Sequence, residues 1–188
     1  MSTSDPFSFS KPKWDIVQDK KVYETPVFSL HEIKLIPDQK NTAVDFFILD
    51  APEWINVIAL TPENEILLVE QYRAGIDQSS LEIPGGIVDE NEDPLDAAKR
   101  ELAEETGFTS EYWTKIGKAS SNPAILNNYI HLYFAIDCIK TGQQEPDGTE
   151  DILVHQIPLK DFFDLIKNGT VHHAIVLAAV THLLLMDK

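Results

Sequence analysis

The 188-residue sequence has little cysteine, few basic residues and no long apolar run, and each scarcity excludes a class of protein. The single cysteine, Cys138, cannot form an intramolecular disulfide and has no second thiol for a zinc site. We therefore expect Cys138 to be a small buried residue in a strand. The 15 Lys and Arg residues stand against 31 Asp and Glu, so the formal net charge is −16. Such a surface repels phosphate backbones, and nucleic acid is not an expected partner.

No segment of the sequence has the apolar character of a signal peptide or of a membrane span. The first twenty residues lack an apolar run, and no later apolar stretch is long enough to cross a bilayer. We therefore expect a cytoplasmic protein without membrane association. A chain of 188 residues with 43% hydrophobic content can bury one good core, whereas a second full domain is not expected.

The residue pattern along the chain predicts strands, then one helix, then further strands and two closing helices. Residues 21–37 and 42–51 are rich in β-branched and aromatic residues, which predicts strands around a polar turn. Residues 55–60 and 65–72 flank a proline-containing turn and predict a hairpin whose strands are buried on both faces. The later elements are predicted as strands over 113–120, 129–138 and 152–157 and helices over 159–169 and 171–187. This order predicts a mixed sheet between helices.

An acidic segment in the middle of the chain contains the best-defined helix. Asp93 suits the N-cap with Pro94 in the first helical position, and Gly107 suits the left-handed residue after the last turn. The helix is therefore predicted over Pro94–Thr106. Its core-facing stripe is formed by Leu95, Ala98 and Leu102.

Three glutamates of this helix, Glu101, Glu104 and Glu105, lie at positions i, i+3 and i+4 and cluster on one face. Like charges at this spacing destabilise a helix unless something neutralises them. A hard divalent cation does so, because Mg²⁺ prefers oxygen ligands and then attracts the oxygens of a substrate phosphate. Arg100 can orient Glu104 through an ion pair. For the three glutamates alone, a solvated charged face is the alternative.

The residues before the helix decide between these alternatives. Gly85 and Gly86 permit tight backbone turns that leave carbonyl oxygens free to coordinate, and Glu92 can brace the loop against the start of the helix. The full spacing is Gly86, five residues, Glu92, seven residues, Arg100-Glu101-Leu102, one residue, Glu104-Glu105, one residue, Gly107-Phe108. At every defined position this spacing resembles the signature box of the Nudix hydrolases, which cleave nucleoside diphosphates linked to another group.

The resemblance to Nudix hydrolases implies an α/β fold, namely an α/β/α sandwich with a mixed β-sheet, here extended by N-terminal strands. It implies one Nudix hydrolase domain over residues 1–188. It also implies Mg²⁺ or Mn²⁺ as the cofactor and attack by water on a pyrophosphate phosphorus.

The resemblance gives the residues of the box two kinds of role. Glu101 and Glu105 look like the main metal ligands, and Glu104 looks like a further ligand or a carboxylate that orients water. Glu104 and Glu105 are therefore the catalytic candidates on the helix, and Gly85 would offer its carbonyl oxygen to the metal. The structural residues, which would hold loop and helix in register, are Gly86, Glu92 and Arg100.

The flanks of the box resemble the ADP-ribose pyrophosphatase branch of the family. A Gln-Tyr-Arg segment at 71–73 and a Glu-apolar-Pro-Gly-Gly segment at 82–86 precede the helix, and Pro123 stands fifteen residues after Phe108. The implied reaction converts ADP-ribose or a related nucleoside diphosphate sugar to a nucleoside monophosphate and a sugar phosphate. The alternatives are another derivative (GDP-mannose, a UDP-sugar or a dinucleotide) or a module that senses a nucleotide without cleaving it. In this branch N-terminal strands help form a homodimer, which assigns residues 1–50 to dimerisation.

Four residues outside the box are candidate substrate contacts: Arg73, Glu82, Trp54 and Pro123. Arg73 could bind a phosphate or ribose through its guanidinium, and the alternative is an exposed arginine at a strand end. Glu82 could contact the ribose or the metal, or it could be a structural partner of Arg73. Trp54 could stack on a base, and core packing is its alternative.

Two loops bear on the substrate and on catalysis. After Pro123 the chain lacks the glycine that the branch carries, and Asn127-Asn128 stands where an acidic residue is expected. A substrate that carries another group in place of the terminal sugar of ADP-ribose therefore remains an alternative. In the loop over 141–152 the branch carries a catalytic or metal-binding acid, which aligns best with Glu150. The alternatives are Glu145, Asp147 and Asp151.

Overall fold

The computed structural model describes residues 14–37, 42–145 and 151–186. The chain divides into two compact units. One comprises residues 1–51 with 124–127, and the other comprises residues 52–123 with 128–188. The polar turn predicted over 38–41 lies outside the described residues.

The first unit contains a three-stranded antiparallel sheet in the order β1-β2-β3. Its strands are β1 (Trp14–Glu24), β2 (Ser29–Pro37) and β3 (Val44–Asp50). Strand β1 begins at Trp14, well before the start predicted at Lys21. Strand β1 is exposed along its whole length, and its sequence lacks the alternation of apolar and polar residues that marks a half-buried strand. The sequence pattern therefore did not indicate the start of this strand.

Among the residues that the structure describes, the second unit contains the mixed sheet and three helices. Its strands are β4 (Trp54–Ala59), β5 (Glu65–Arg73), β6 (Gln78–Glu82), β7 (Gly85–Ile87), β8 (Phe108–Thr109), β9 (Tyr112–Ala119), β10 (Ile130–Ile136), β11 (Ile139–Lys140) and β12 (Leu153–Pro158). The sheet β7-β4-β10-β9 is mixed, because β4 and β10 are parallel and the other pairs antiparallel. The sheets β12-β5-β6 and β11-β8 are antiparallel. The predicted α/β class with a mixed sheet is confirmed.

The hairpin predicted from β4 and β5 is wrong. Strand β4 pairs with β7 and β10, whereas β5 pairs with β6 and β12. A single antiparallel bridge between Leu60 and Ile66 joins the two strands at their turn. Both strands have a buried, largely apolar stretch, at 55–59 and 66–69. Such a stretch indicates burial on both faces without identifying the neighbouring strand.

Helices cover both faces of the sheet. Val57 of β4 packs with Leu102 of α1 (Pro94–Thr106) in one apolar cluster. The next residue, Ile58, packs in a second cluster with Phe162 of α2 (Leu159–Lys167) and Val176 of α3 (Ala174–Leu184). Successive residues of a strand point to opposite faces, so α1 lies on one side and the closing helices on the other. The three layers of the predicted sandwich follow from this alternation.

The predicted bounds of α1 are confirmed at both ends. The Asp93 carboxylate accepts a hydrogen bond from the amide of Leu95, and Gly107 adopts a left-handed conformation with φ of 75°. Helix α3 begins at Ala174, so His172 and His173 precede the helix in which the prediction placed them. Cys138 is buried, as expected, but lies between β10 and β11, and burial raises its pKa to about 11. No helix in the described ranges has the length and apolar character needed to cross a membrane.

Candidate active site

Helix α1 presents its three glutamates at different depths. Glu105 is only 3% exposed, the Glu101 side chain is largely buried and the Glu104 side chain is partly exposed. Leu102, which follows Glu101, is fully buried and anchors α1 in the apolar core. The three carboxylates therefore share one face that runs from the core edge to the surface.

Arg100 connects this carboxylate face to the loop before the helix. Its Nη1 lies 2.8 Å from Glu101 Oε1 and 3.0 Å from Glu104 Oε2. Its Nε and Nη2 donate to the two oxygens of Glu92 at 3.0 and 2.9 Å, and Nη2 also donates to the carbonyl of Ile87. These bonds to Glu92 raise the pKa of Arg100 and lower the pKa of Glu92. The guanidinium thus joins the loop before α1 to the helix, and the structural roles of Arg100 and Glu92 stay predictions.

Gly85 and Gly86 are needed for close approach, and the tight turn expected for them is wrong. They form strand β7, which pairs with β4. A Cβ on Gly85 would lie 2.3 Å from Asn56 Nδ2, and a Cβ on Gly86 would lie 2.2 Å from Glu101 Oε1. The amide of Gly85 donates to Glu105 Oε2 at 2.9 Å. Gly86 thus leaves room for the carboxylate of Glu101, and Gly85 leaves room for Asn56 of β4.

The donor set fits a hard divalent cation, because Glu101, Glu104 and Glu105 offer carboxylate oxygens beside a side-chain-free Gly86. Within the described ranges, no three acidic, histidine or cysteine side chains converge as a ligand set. The contacts that the three carboxylates already make explain why they do not converge. Arg100 binds Glu101 and Glu104, and Glu105 accepts the hydrogen bond from the backbone. A cation would compete with these contacts for the same oxygens.

A cavity of about 200 Å³ lies at the C-terminal end of α1. It is lined by Ala103, Glu104, Gly107, Thr141, Gly142, Gln143 and Glu145. The amide of Glu145 donates to the carbonyl of Glu104 at 2.8 Å, which places this acid of the predicted loop beside the helix. Asp151 is exposed, whereas Asp147 and Glu150 lie outside the described residues.

Gln144 is a site residue that the sequence did not single out. Its Nε2 donates to the carbonyl of Glu105 at 2.6 Å and to that of Ile152 at 3.3 Å. A glutamine in a polar loop is unremarkable in sequence. Only its position in three dimensions distinguishes it.

Arg73 and Glu82 form a bidentate ion pair, with Nε–Oε1 at 2.9 Å and Nη2–Oε2 at 2.7 Å. Glu82 is 2% exposed, while the Arg73 side chain is partly exposed. Burial raises the pKa of Glu82, but the hydrogen bonds and charge of Arg73 outweigh it and leave that pKa below its ordinary value. His173 lies 3.9 Å from Glu82, and burial lowers its pKa. The structural partnership is therefore present, and a substrate contact stays a prediction for both residues.

The remaining substrate-contact candidates are Trp54 and Pro123, and Asn128 belongs to the loop after Pro123. Trp54 is partly buried and packs against the apolar cluster of Ile58, which favours the core alternative. Pro123 is exposed in its loop. Asn128 is buried, and its amide donates to the carbonyl of Pro52 at 2.8 Å.

Comparisons with known proteins agree with this geometry. Residues 52–180 match the NUDIX domain. The chain is 28% identical over 178 residues to the ADP-ribose pyrophosphatase of Bacillus subtilis (strain 168), covering 91% of this chain and 95% of that protein. It is 30% identical over 179 residues to the methanol dehydrogenase activator of Bacillus methanolicus, covering 92% and 96%.

A solved structure shows the same fold. The crystal structure of an ADP compounds hydrolase superposes with a TM-score of 0.81 at 22% identity, covering 94% of this chain and 95% of that one. The NUDIX match spans most of the chain and contains the whole signature box. The chain therefore belongs to the Nudix family and is a Nudix pyrophosphohydrolase of the ADP-ribose pyrophosphatase type.

Proposed function

We propose that the protein hydrolyses the pyrophosphate bond of ADP-ribose or a related nucleoside diphosphate sugar, which releases a nucleoside monophosphate and a sugar phosphate. The observation that carries the proposal is the intact carboxylate face of α1, with Arg100 joining Glu101 and Glu104 to Glu92. A protein that only sensed a nucleotide would have little need of this set. Similarity to the Bacillus subtilis ADP-ribose pyrophosphatase over 95% of its length supports the substrate class.

The residues that would hold a divalent metal are Glu101 and Glu105, with Glu104 and the carbonyl oxygen of Gly85 as further ligands. Nudix hydrolases generally use divalent metals, and we propose Mg²⁺ or Mn²⁺ here. When bound, such a metal supplies polarisation of the phosphoryl oxygens and a lower pKa for the attacking water. Arg100 keeps Glu104 oriented by its 3.0 Å ion pair, and Gly86 keeps space beside Glu101.

A carboxylate of the segment 141–152 would take the proton from the attacking water. Glu150 is the proposed residue, because it aligns best with the loop acid of the ADP-ribose pyrophosphatase branch. Glu145 is the second candidate, and its backbone contact with Glu104 supports a place near the site. General-base assistance of this kind contributes about 10²–10⁴-fold to a rate.

Substrate contacts are proposed for four residues. Arg73 would bind a phosphate or ribose, since its guanidinium is partly exposed while its partner Glu82 is buried. Glu82 would contact the ribose or the metal, and its alternative role is to fix the orientation of that guanidinium as a structural partner. Trp54 and Pro123 keep their predicted substrate roles as proposals, although Trp54 packs against the core.

A panel of substrates tests the proposal. ADP-ribose, GDP-mannose, a UDP-sugar and a dinucleotide would be incubated with Mg²⁺ or Mn²⁺, and phosphate release would be followed after coupling to a phosphatase. We expect the highest kcat/KM with ADP-ribose or a close analogue, and loss of release in a Glu101→Gln control. Absence of cleavage across the panel, with a folded protein and either metal, would refute the proposal.

A second candidate function is activation of a dehydrogenase. The Bacillus methanolicus relative is named as an activator of methanol dehydrogenase and is 30% identical over 92% of this chain. Adding the protein to purified alcohol dehydrogenases, with the Glu101→Gln variant in parallel, tests this candidate. A rise in dehydrogenase rate only with the unsubstituted protein would support it.

We also propose that the chain functions as one Nudix hydrolase domain over 1–188 that forms a homodimer through residues 1–50. The first unit exposes several large apolar side chains, with Ile16 65%, Tyr23 64% and Phe47 57% exposed. Exposed apolar side chains that lie together mark interaction surfaces in soluble proteins. A second copy of the chain would cover them.

A further inference from the structure

The C-terminal end of α1 is completed by another part of the chain. The last four carbonyls of a helix have no intrahelical partner. Here the amide of Gly107 caps the carbonyl of Ala103 at 2.8 Å. The next two carbonyls accept from the segment 141–145: Glu104 from the amide of Glu145 at 2.8 Å, and Glu105 from the Gln144 side chain at 2.6 Å. Two residues of the carboxylate face are therefore fixed by this segment through their backbones.

The same segment is held in register before it reaches Gln144. The amides of Thr141 and Gly142 both donate to the carbonyl of Gly107, at 2.9 and 3.1 Å. A Cβ on Gly107 would lie 2.6 Å from the carbonyl oxygen of Gly142, so this approach requires glycine at the end of the helix. The glycine of the signature box thus serves the cap and the docking of the segment together.

Gln144 uses both hydrogens of its side-chain amide. One N–H donates to Glu105 O and the other to Ile152 O at 3.3 Å. Ile152 is buried, so its carbonyl depends on a partner within the protein. One side chain consequently joins the end of α1 to Ile152, the residue before β12.

We infer that Gln144 is a positioning residue that holds Glu145 beside Glu104, and that these two acids together orient the attacking water in the cavity they both line. The inference rests on the proposed function. It assigns to Glu145 a role next to that of the proposed base Glu150, and it gives Gln144 a part in the reaction without contact with the substrate.

A double-mutant cycle tests the inference. Gln144→Met keeps the side-chain length and removes both donors, and Glu145→Gln removes the acid. We expect each to lower kcat about tenfold while KM stays within a few-fold, because a misplaced group costs rate more than binding. If Gln144 acts through Glu145, the double variant should be no slower than Glu145→Gln alone. Gln156→Met on β12, whose amide donates to the exposed Glu65, is the matched control and should leave kcat unchanged.

Hydrogen exchange gives a readout that does not depend on activity. Amides of residues 141–145 should exchange faster in Gln144→Met than in the unsubstituted protein or the Gln156→Met control. Unchanged exchange in Gln144→Met would overturn the contact. Faster exchange without a lower kcat would overturn the positioning role. So would a double variant whose kcat falls by the product of the two single losses. Faster exchange in a protein that cleaves no nucleoside diphosphate would refute the proposed function and, with it, the role in orienting water. If Gln144→Met fails to fold, Gln144→Glu takes its place, because a carboxylate keeps the length and also lacks the donors.

Discussion

At the residue scale, Arg100 makes the carboxylate face of α1 compatible with a folded helix. It contacts Glu92, Glu101 and Glu104 at distances of 2.8–3.0 Å. Like charges at helical spacing repel, and a guanidinium with five donors can neutralise several of them at once. Lysine could not replace it, since an ammonium lacks the planar fork that binds Glu92 through both oxygens.

Replacing Glu101 or Glu105 by glutamine should remove activity and keep the fold. Glutamine has nearly the same shape but no charge, so we expect turnover to fall by at least about two orders of magnitude, the scale for lost electrostatic stabilisation. Initial rates at saturating Mg²⁺ and thermal melts of the metal-free proteins measure both effects. Lys99→Gln, at an exposed position of the same helix, is the control. Near-normal turnover in either variant would remove the metal role of that residue.

Glu82 should contribute a pH-dependent part of the stability. Its folded-state pKa lies below the ordinary value of 4.5, so this stabilisation is fully present above that pH and is lost as pH falls through the lowered pKa. Urea unfolding from about pH 7 to about pH 3 should show the stability difference between the protein and Glu82→Gln shrinking at the acid end. Glu63→Gln, at an exposed turn, serves as the control. A difference that stays constant down to the lowest pH would contradict this linkage.

At the scale of elements, α1 is fixed from three directions. Its inner face packs through Leu102, its N-terminal half is tied to the preceding loop by Arg100, and its C-terminal carbonyls are capped by the segment 141–145. The short strand β7 passes against Glu101 because the residue facing that carboxylate, Gly86, has no side chain. The carboxylates are thus held in place by contacts within the protein, and a cation would have to displace Arg100 and the Gly85 amide from their oxygens.

The loop acid is tested at this scale, because it belongs to a segment and not to the helix. Glu150→Gln should lower kcat by roughly two to four orders of magnitude, the range for lost general-base help, with KM changed only a few-fold. Glu145→Gln, measured beside it under the same conditions, should lose far less. A dead Glu145→Gln enzyme with a normal Glu150→Gln enzyme would transfer the role to Glu145. Normal kcat in both would eliminate the loop-acid hypothesis.

At the scale of the whole molecule, the net charge of −16 bears on partners and the first unit bears on assembly. A surface this acidic disfavours nucleic acid and keeps copies apart except where an apolar patch overcomes the repulsion. Large apolar side chains are exposed on β1 and β3, and we propose that they form such a patch. The homodimer, like the cytoplasmic location, remains a prediction.

The dimer has a direct measurement. Light scattering at micromolar concentration should give twice the chain mass of 21.2 kDa. Tyr23→Glu with Phe47→Glu should shift the mass to that of one chain, because charge in an apolar interface is costly to bury. Lys20→Glu, at an exposed polar position of β1, is the control. A single-chain mass for the unsubstituted protein would refute the dimer, and a chain that starts after Pro52 should be insoluble or inactive.

The sequence by itself determined those features that local rules govern. The caps at Asp93 and Gly107 set the bounds of α1, the spacing of Glu101, Glu104 and Glu105 set the carboxylate face, and the order of elements set the α/β class. The first two depend on residues within a few positions of one another, so helical geometry and capping chemistry suffice to predict them. The class depends only on the order of the elements along the chain.

Only the tertiary structure decided which distant parts meet. Strand β4 pairs with β10 and not with its neighbour β5, Gly85 and Gly86 form a strand instead of a turn, and Gln144 caps Glu105 from 39 residues away. A buried strand has the same apolar pattern whichever strand lies beside it, and a polar loop residue gives no sign of its partner. These contacts are fixed by the packing of the whole unit, because a buried carbonyl or strand edge must be satisfied by whatever the fold brings within reach.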